Sequence, residues 1–348
     1  MKYKRLPILF AVFAAVFYGV SIPVAKLLLY DMPPVFMASL LYLGAGIGMA
    51  IVNLIQKKQT REKEAKITKK ELPYVAVIIV LDIAAPILLM LGLSMTTSAT
   101  VSLLGNFEIV ATVTIALFCF KEAVGKRMWL AVTLITVSSI ILSVEDFGNL
   151  KISIGAFFVL LSCISWGIEN NCTRMLSLKN PLHIVIIKGV GSGFGSLLIA
   201  AIMGSISTNV IYIIISLLLG FVAYGLSIYF YIIAQRNLGA ARTSAFYAFA
   251  PFIGAGLSFV IFRETPTFSF LIAFVVMTSG AYLAAFERHD HEHEHTQIEH
   301  DHRHNHSDGH HDHYHEPRIN GEHSHLHTHI PIIHMHRHTP DLHHTHNH

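Results

Sequence analysis

Residues 99–122 read ATVSLLGNFEIVATVTIALFCFKE, and residues 241–264 read ARTSAFYAFAPFIGAGLSFVIFRE. Each is an apolar run of the roughly 20 residues that a helix needs to cross about 30 Å of hydrocarbon. Each closes on a phenylalanine, a basic residue and a glutamate. Laid over one another at an offset of 142, they match Ala99 with Ala241, Ser102 with Ser244, Phe107 with Phe249, Phe120 with Phe262 and Glu122 with Glu264, while Lys121 meets Arg263. A weaker match at an offset of 148 sets Gly19 on Gly167 and Lys26 on Arg174. A membrane-length segment that recurs later in the chain points to a duplicated unit.

Working outward, apolar runs fill the chain up to about Phe286. Ten spans are expected, at about 7–30, 34–55, 73–94, 98–120, 128–146, 153–175, 181–204, 208–234, 241–262 and 267–286. Turn signals such as Asp31-Met32-Pro33-Pro34, Gly125-Lys126 and Thr265-Pro266 separate them. The mean hydropathy of +0.53 is high even with a polar C-terminal segment included. Lipid on the outside explains it, because a soluble core of this size could not hide so many unbroken apolar runs. The first span follows Met1-Lys2-Tyr3-Lys4-Arg5, which resembles the start of a signal peptide; its length and the apolar runs after it favour a retained helix. The expectation is an all-α integral membrane protein with two five-helix repeats, 7–146 and 153–286, followed by a tail at 288–348. Five is odd, so the halves run in opposite directions through the bilayer. Inverted repeats of this kind build carriers with alternating access and a site near the midplane.

Orientation comes from the connections. Gln56 to Glu71 holds seven lysines and arginines; Lys121, Lys126 and Arg127 follow the fourth span, and Arg174 and Lys179 the sixth. The odd connections are short or acidic, as at Asp31 and Glu145-Asp146. Basic residues concentrate on the cytoplasmic side, so both termini are expected there, in a multi-pass protein of the cell membrane. The formal net charge of +3 says little by itself; the lysines and arginines sit in the connections and so report orientation and not a nucleic-acid partner. Cys119, Cys163 and Cys172 lack a CxxC spacing and read as small core residues.

The run Leu91-Gly92-Leu93-Ser94-Met95-Thr96-Thr97-Ser98-Ala99, continued by Ser102-Leu103-Leu104-Gly105-Asn106-Phe107-Glu108 and closed by Phe120-Lys121-Glu122, resembles the fourth span of EamA-type members of the drug/metabolite transporter superfamily. Leu238-Gly239-Ala240-Ala241 through Pro251 to Phe262-Arg263-Glu264 resembles the ninth. Tyr18-Gly19 and Trp166-Gly167 resemble the aromatic-glycine pairs of spans one and six. The resemblance covers about 7–286 and implies transport without naming cargo, since the family moves amino acids, sugars, nucleosides and other metabolites. The chain departs from the pattern at Gly105, where leucine is common, and at Ile109, where proline is common. The tail lies outside it.

Four ionisable residues fall inside spans: Asp82, Glu108, Glu169 and Lys188. A charge at mid-membrane costs about 2.5–3.5 kcal/mol on insertion scales, so such residues face a cavity or a partner. Glu108 leads this group. Thr112 lies one turn on and shares its face, whereas Asn106, two residues earlier, points elsewhere and pairs at i, i+4 with Ser102. The two faces would line a cavity from adjacent sides. Asp82 and Glu108 suit a cationic substrate, or a proton taken up in one state and released in the other. The competing structural reading is a Glu108–Lys188 pair, or a carboxyl bonded to Thr112 or Ser102, holding helices together. Glu169 sits closer to the interface, and Lys188 can snorkel or neutralise a carboxylate. These seven residues form the expected pathway, between spans three, four, six and their second-half counterparts. Pro86, Pro251 and the polar run Thr96 to Ser98 are expected to bend or interrupt helices. Gly44-Ala-Gly-Ile-Gly48 and Gly189-Val-Gly-Ser-Gly-Phe-Gly195 have small-xxx-small spacing for close helix packing. No strand precedes Gly189 and no Gly-Lys-Ser follows, which argues against a phosphate loop. No nucleophile–base constellation emerges either, so an enzyme is not expected.

Past Arg288 the chemistry changes. The tail carries every histidine of the chain's 24 except His183. They alternate with acidic and polar residues through His289, His291, His293, His295, His300, His302, His304, His306, His310, His311, His313 and His315. Such a stretch cannot bury a core and is expected to be disordered and cytoplasmic when metal-free. Imidazoles beside carboxylates suit Zn, Ni, Co or Cu, although no fixed ligand framework defines one geometry. No cofactor is required for the membrane part. The favoured reading is a secondary transporter for a small metabolite with a metal-responsive tail; a homodimer is compatible with it. A divalent-metal exporter whose tail loads ions toward Asp82 and Glu108, and a membrane-anchored metal sensor or scaffold, are the alternatives.

Overall fold

Proline, serine and asparagine set several of the helix starts. The computed structural model describes residues 5–57, 69, 71–120, 124–146, 151–176, 179–238, 243 and 246–285, and in the tail 292–294, 299–304, 323–328 and 333–335. Helix α1 (Arg5–Leu28) is followed by α2 (Pro34–Lys57), which begins on a proline whose missing N–H costs a first turn nothing, and by α3 (Leu72–Met95). The fourth passage is split into α4 (Ser98–Leu104) and α5 (Phe107–Phe120); α6 (Lys126–Ser143) closes the first half. In the second half, Ser153 accepts a hydrogen bond from the Ala156 amide at 3.2 Å ahead of α7 (Ile154–Arg174). Asn180 accepts from the Leu182 and His183 amides ahead of α8 (Pro181–Ile202). These caps satisfy N–H groups that have no partner within the helix. Helices α9 (Val210–Gly220) and α10 (Ser227–Leu238) are joined without a break by a π-helical turn, Phe221–Leu226. Then come α11 (Ala250–Phe262) and α12 (Phe268–Ala285).

Among the described residues, eight passages are long and apolar enough to cross a membrane: α1, α2, α3, α4 with α5, α6, α8, α9 with α10, and α12. Helix α7 has the length, at 21 residues, but Glu169, Asn170, Asn171 and Arg174 crowd its last two turns. Helix α11 has only 13 residues, and part of the stretch before it lies outside the described residues. Apolar side chains point outward: Val80, Phe118, Phe194, Ile202, Val260 and Phe268 are 63% to 79% exposed. Water would penalise such a surface, whereas lipid does not. Cys119 joins this outer face, contrary to its reading as a core residue, while Cys163 is buried.

The three expectations about bends and interruptions resolve differently. Thr96 to Ser98 does end α3 and start α4, with the Thr97 hydroxyl accepting from the Thr100 amide. Pro86 does not break α3, which runs through it; the nearby Ala85 carbonyl is taken by the Ser162 hydroxyl of α7 at 2.8 Å. Pro251 sits in the first turn of α11, where proline starts a helix instead of kinking it.

The largest contacts follow the chain's two halves. Helix α2 packs along α8, α6 along α12 and α4 along α11; α3 and α5 both pack on α7, while α10 and α11 both pack on α1; α9 packs on α2, and α8 on α3. Exchanging each passage of one half for its counterpart in the other leaves this list of pairings unchanged. Helices α2 and α8 approach closely: a Cβ added to Gly46 would stand 2.5 Å from the Val190 amide nitrogen. That neighbour is backbone and cannot step aside. Gly46→Ala is therefore expected to lower stability by about 1–3 kcal/mol, as overpacking does. Gly256, in α11 with nothing within 4 Å of an added Cβ, supplies the control. Gly256→Ala should be neutral or gain up to about 1 kcal/mol from helix propensity. Thermal unfolding of both variants in detergent checks the contrast.

Short strands depart from a purely helical chain. Val144–Asp146 (β1) and Lys151–Ile152 (β2) pair antiparallel between α6 and α7. In the tail, Glu292–Glu294 (β3) pairs with Ile333–Met335 (β6) and Glu299–His304 (β4) with His323–Thr328 (β5), both antiparallel. The tail's alternation has a period of two, which is also the period of a strand. Of the expected metal ligands, His293 lies in β3 and His300, His302 and His304 in β4. His289, His291, His295, His306, His310, His311, His313 and His315 lie outside the described residues.

Candidate functional site

The break in the fourth passage builds the site. Val101 and Leu104 face the core from α4, the chain turns at Gly105 and Asn106, and α5 restarts at Phe107 with Glu108 in its first turn. A carboxylate there meets the positive end of the helix dipole. Beside the turn lies a cavity of about 130 Å³ with a mostly apolar wall. Ser102, Asn106 and Glu108 all contribute to it. In a continuous helix Asn106 would face away from Glu108, but the turn at Gly105–Asn106 resets the phase and brings both to the same space.

The cavity wall has a second half. Tyr247, Ala248, Ala250 and Pro251 line it at the start of α11, and they are the counterparts of Gly105, Asn106, Glu108 and Ile109 at the offset of 142. Tyr18 and Gly19 of α1 and Trp166 of α7 complete its aromatic side. Tyr18 stacks on Tyr247 with ring centroids 5.6 Å apart. Helix α7 reaches α5 closely because Gly167 has no side chain; a Cβ there would lie 2.6 Å from that of Ala111. That approach lets the Asn170 amide donate to Glu108 Oε1 at 2.6 Å and to Thr112 Oγ1 at 3.4 Å, and Asn171 donate to the Thr112 carbonyl at 3.1 Å. Thr112 thus shares Asn170 with Glu108 without lining the cavity.

Asp82, Glu169 and Lys188 form a separate cluster behind Trp166. Lys188 Nζ stands 2.7 Å from Glu169 Oε1 and 3.4 Å from Asp82 Oδ2. The expected Glu108–Lys188 pair is not the one formed: α8 carries Lys188 to the far side of α7, where two other carboxylates meet it. Tyr42 donates to Asp82 Oδ1 at 3.0 Å, and the Trp166 indole N–H donates to the Tyr42 hydroxyl at 3.3 Å. The Thr173 hydroxyl bonds Glu169. Asp82 is fully buried, Glu169 nearly so, and each has its charge or hydrogen bonds answered inside the bundle. Helix α7 therefore bridges two polar groups, with Trp166 on the cavity, Asn170 bonded to Glu108 and Glu169 bonded to Lys188.

The pathway residues expected from sequence divide accordingly: Ser102, Asn106 and Glu108 on the cavity, Thr112 one contact away, and Asp82, Glu169 and Lys188 in the ion cluster. Tyr42, Asn170 and Tyr247 were not anticipated. Asn170 had a signal in the polar Glu169-Asn170-Asn171 run, and Tyr247 in its alignment with Gly105. Lys26 donates to the Leu93 and Thr96 carbonyls at 2.6 and 3.0 Å and so covers the C-terminal end of α3. Among the described residues, no three His, Cys, Asp or Glu side chains are grouped as a metal site.

An apolar outer face around a buried polar interior defines a multi-pass helical membrane protein. Within that class the chain belongs to the EamA-like transporter family, whose sequence model matches residues 5–144 and again 153–286. A relative from Methanothermobacter thermautotrophicus, described as an uncharacterized transporter, is 28% identical over 290 residues, covering 78% of this chain and 83% of that protein. A solved crystal structure at 16% identity shares the fold, with a TM-score of 0.58 over 79% of this chain and 94% of its own.

Proposed function

We propose that this chain is a secondary transporter that moves a small metabolite across the cell membrane by alternating access, in ten helical passages arranged as two inverted five-helix repeats. The observation that carries the reading is the cavity at Glu108, lined by equivalent positions of the fourth and ninth passages. Its support is geometric: both passages restart as helices at the cavity, and the packing partners of each half mirror those of the other. Two halves that exchange conformations would open such a cavity first to one side and then to the other. The basic connections argue for cytoplasmic termini.

The tail is proposed to bind Zn, Ni, Co or Cu and to make transport metal-responsive, supported by its alternation of histidine with acidic residues. Binding should weaken as pH falls through about 6.5, because a protonated imidazole cannot donate to a metal. Titrating Ni or Zn into the full chain and into a chain ending after Phe286 checks this. Metal binding should follow the tail, and equal binding by both would refute it.

Reconstituted flux tests the transport reading. Metabolites and divalent metals are offered separately to vesicles holding either form of the chain. Metabolite flux that responds to metal only with the tail present is the expected result. Metal flux that persists without the tail would instead move a metal path into the membrane part.

A further inference from the structure

Resting on the transport reading, we infer that the cavity at Glu108 recognises a compact organic cation, an amine or quaternary ammonium of about seven heavy atoms. The cavity of about 130 Å³ is near the size of a roughly 150 Å³ apolar cavity that admits benzene. Within that small space stand one carboxylate and three large aromatic side chains: Glu108, Tyr18, Trp166 and Tyr247. Aromatic faces attract a cation through the ring quadrupole, and the attraction grows where water is excluded.

The charge arrangement narrows the ligand further. Among the described residues, no lysine or arginine lines the cavity. Lys188 is held by Asp82 and Glu169 behind Trp166, and Lys26 is engaged by the α3 carbonyls. Glu108 has a neutral hydrogen-bond partner in Asn170, so its charge has no opposite charge in direct contact among the described residues. An anion would be repelled, and the carboxylate of a zwitterion would find no cation on this wall. A bare metal ion needs several oxygen, nitrogen or sulfur donors, which a mostly apolar wall does not supply. A cation carrying its own methyl or methylene groups satisfies both the carboxylate and the wall.

Labelled choline is the probe, with its uncharged isostere 3,3-dimethylbutan-1-ol as competitor, on the purified full chain. Choline should bind at least ~10-fold more tightly than the isostere, as a carboxylate plus a desolvated cation–π site implies. Glu108→Gln should erase that preference, and Trp166→Ala should lower choline affinity by about 3- to 10-fold. Equal affinity for the two probes, no choline binding, or a preference untouched by Glu108→Gln would overturn the assignment. The wild-type comparison stands even where a variant fails to fold. Choline binding without flux would sink the transport reading and leave the recognition site. Flux of neutral metabolites without choline binding would do the reverse.

Discussion

Lys188→Met should remove most of the folded protein, because it leaves Asp82 and Glu169 buried with no cation between them. Lys188 reaches Glu169 at 2.7 Å and Asp82 at 3.4 Å, and both carboxylates are buried. Removing one partner of a buried ion pair costs about 3–5 kcal/mol, since the remaining charge keeps its desolvation penalty and loses its compensation. Here two carboxylates are orphaned at once, against a typical total stability of about 5–15 kcal/mol. Tyr42 and Thr173 would still donate to Asp82 and Glu169, which offsets part of the loss. Monodisperse yield and thermal midpoint in detergent report the effect. Adding Asp82→Asn and Glu169→Gln to the same chain should recover most of it, because neutral amides tolerate the site where unpaired carboxylates do not. A Lys188→Met protein as stable as the parent would show that the cluster does not hold α3, α7 and α8 together.

Glu108→Gln should give the opposite split, leaving the fold and taking away transport. Glutamine retains a carbonyl that can accept from Asn170, and it has nearly the same volume. What it loses is the charge facing the cavity. A hydrogen bond to a charged group is worth about 1.5–3 kcal/mol, so substrate affinity should fall by roughly 10- to 100-fold. Flux at low substrate should fall with it, while membrane insertion and thermal midpoint stay near the parent values. Normal flux by the variant would remove Glu108 from the substrate path.

These two residues show where sequence was informative. Both were visible as charges inside apolar runs, and membrane energetics alone made them noteworthy. Their partners were not visible, because a helix face is known from spacing only while the helix continues. Gly105 and Asn106 break that phase between Ser102 and Glu108, so Asn106 meets the cavity at the turn itself and not from a separate helix face. The pairing of Lys188 depends on how α8 crosses α3 and α7, and no local pattern encodes that crossing. Tyr18 and Trp166 were legible only as aromatic-glycine pairs; their place on the cavity comes from the close approaches of α1 to α11 and of α7 to α5. Eight of the ten expected spans are, among the described residues, helices long and apolar enough to cross a membrane, since unbroken apolar runs leave few other structures in a bilayer. At Pro86 the sequence alone does not show whether the helix stops, and in the structure α3 runs on through it.

Counterflow in sealed vesicles tests alternating access most directly. Vesicles holding the full chain are loaded with an unlabelled solute and placed in a trace of the same solute carrying a label, across a set of amines, amino acids and sugars. A carrier that exposes the Glu108 cavity to one side at a time predicts transient accumulation of label for at least one solute, absent from empty vesicles and strongly reduced by Glu108→Gln. Uptake that never exceeds equilibration for any solute, or counterflow that survives Glu108→Gln unchanged, would contradict it.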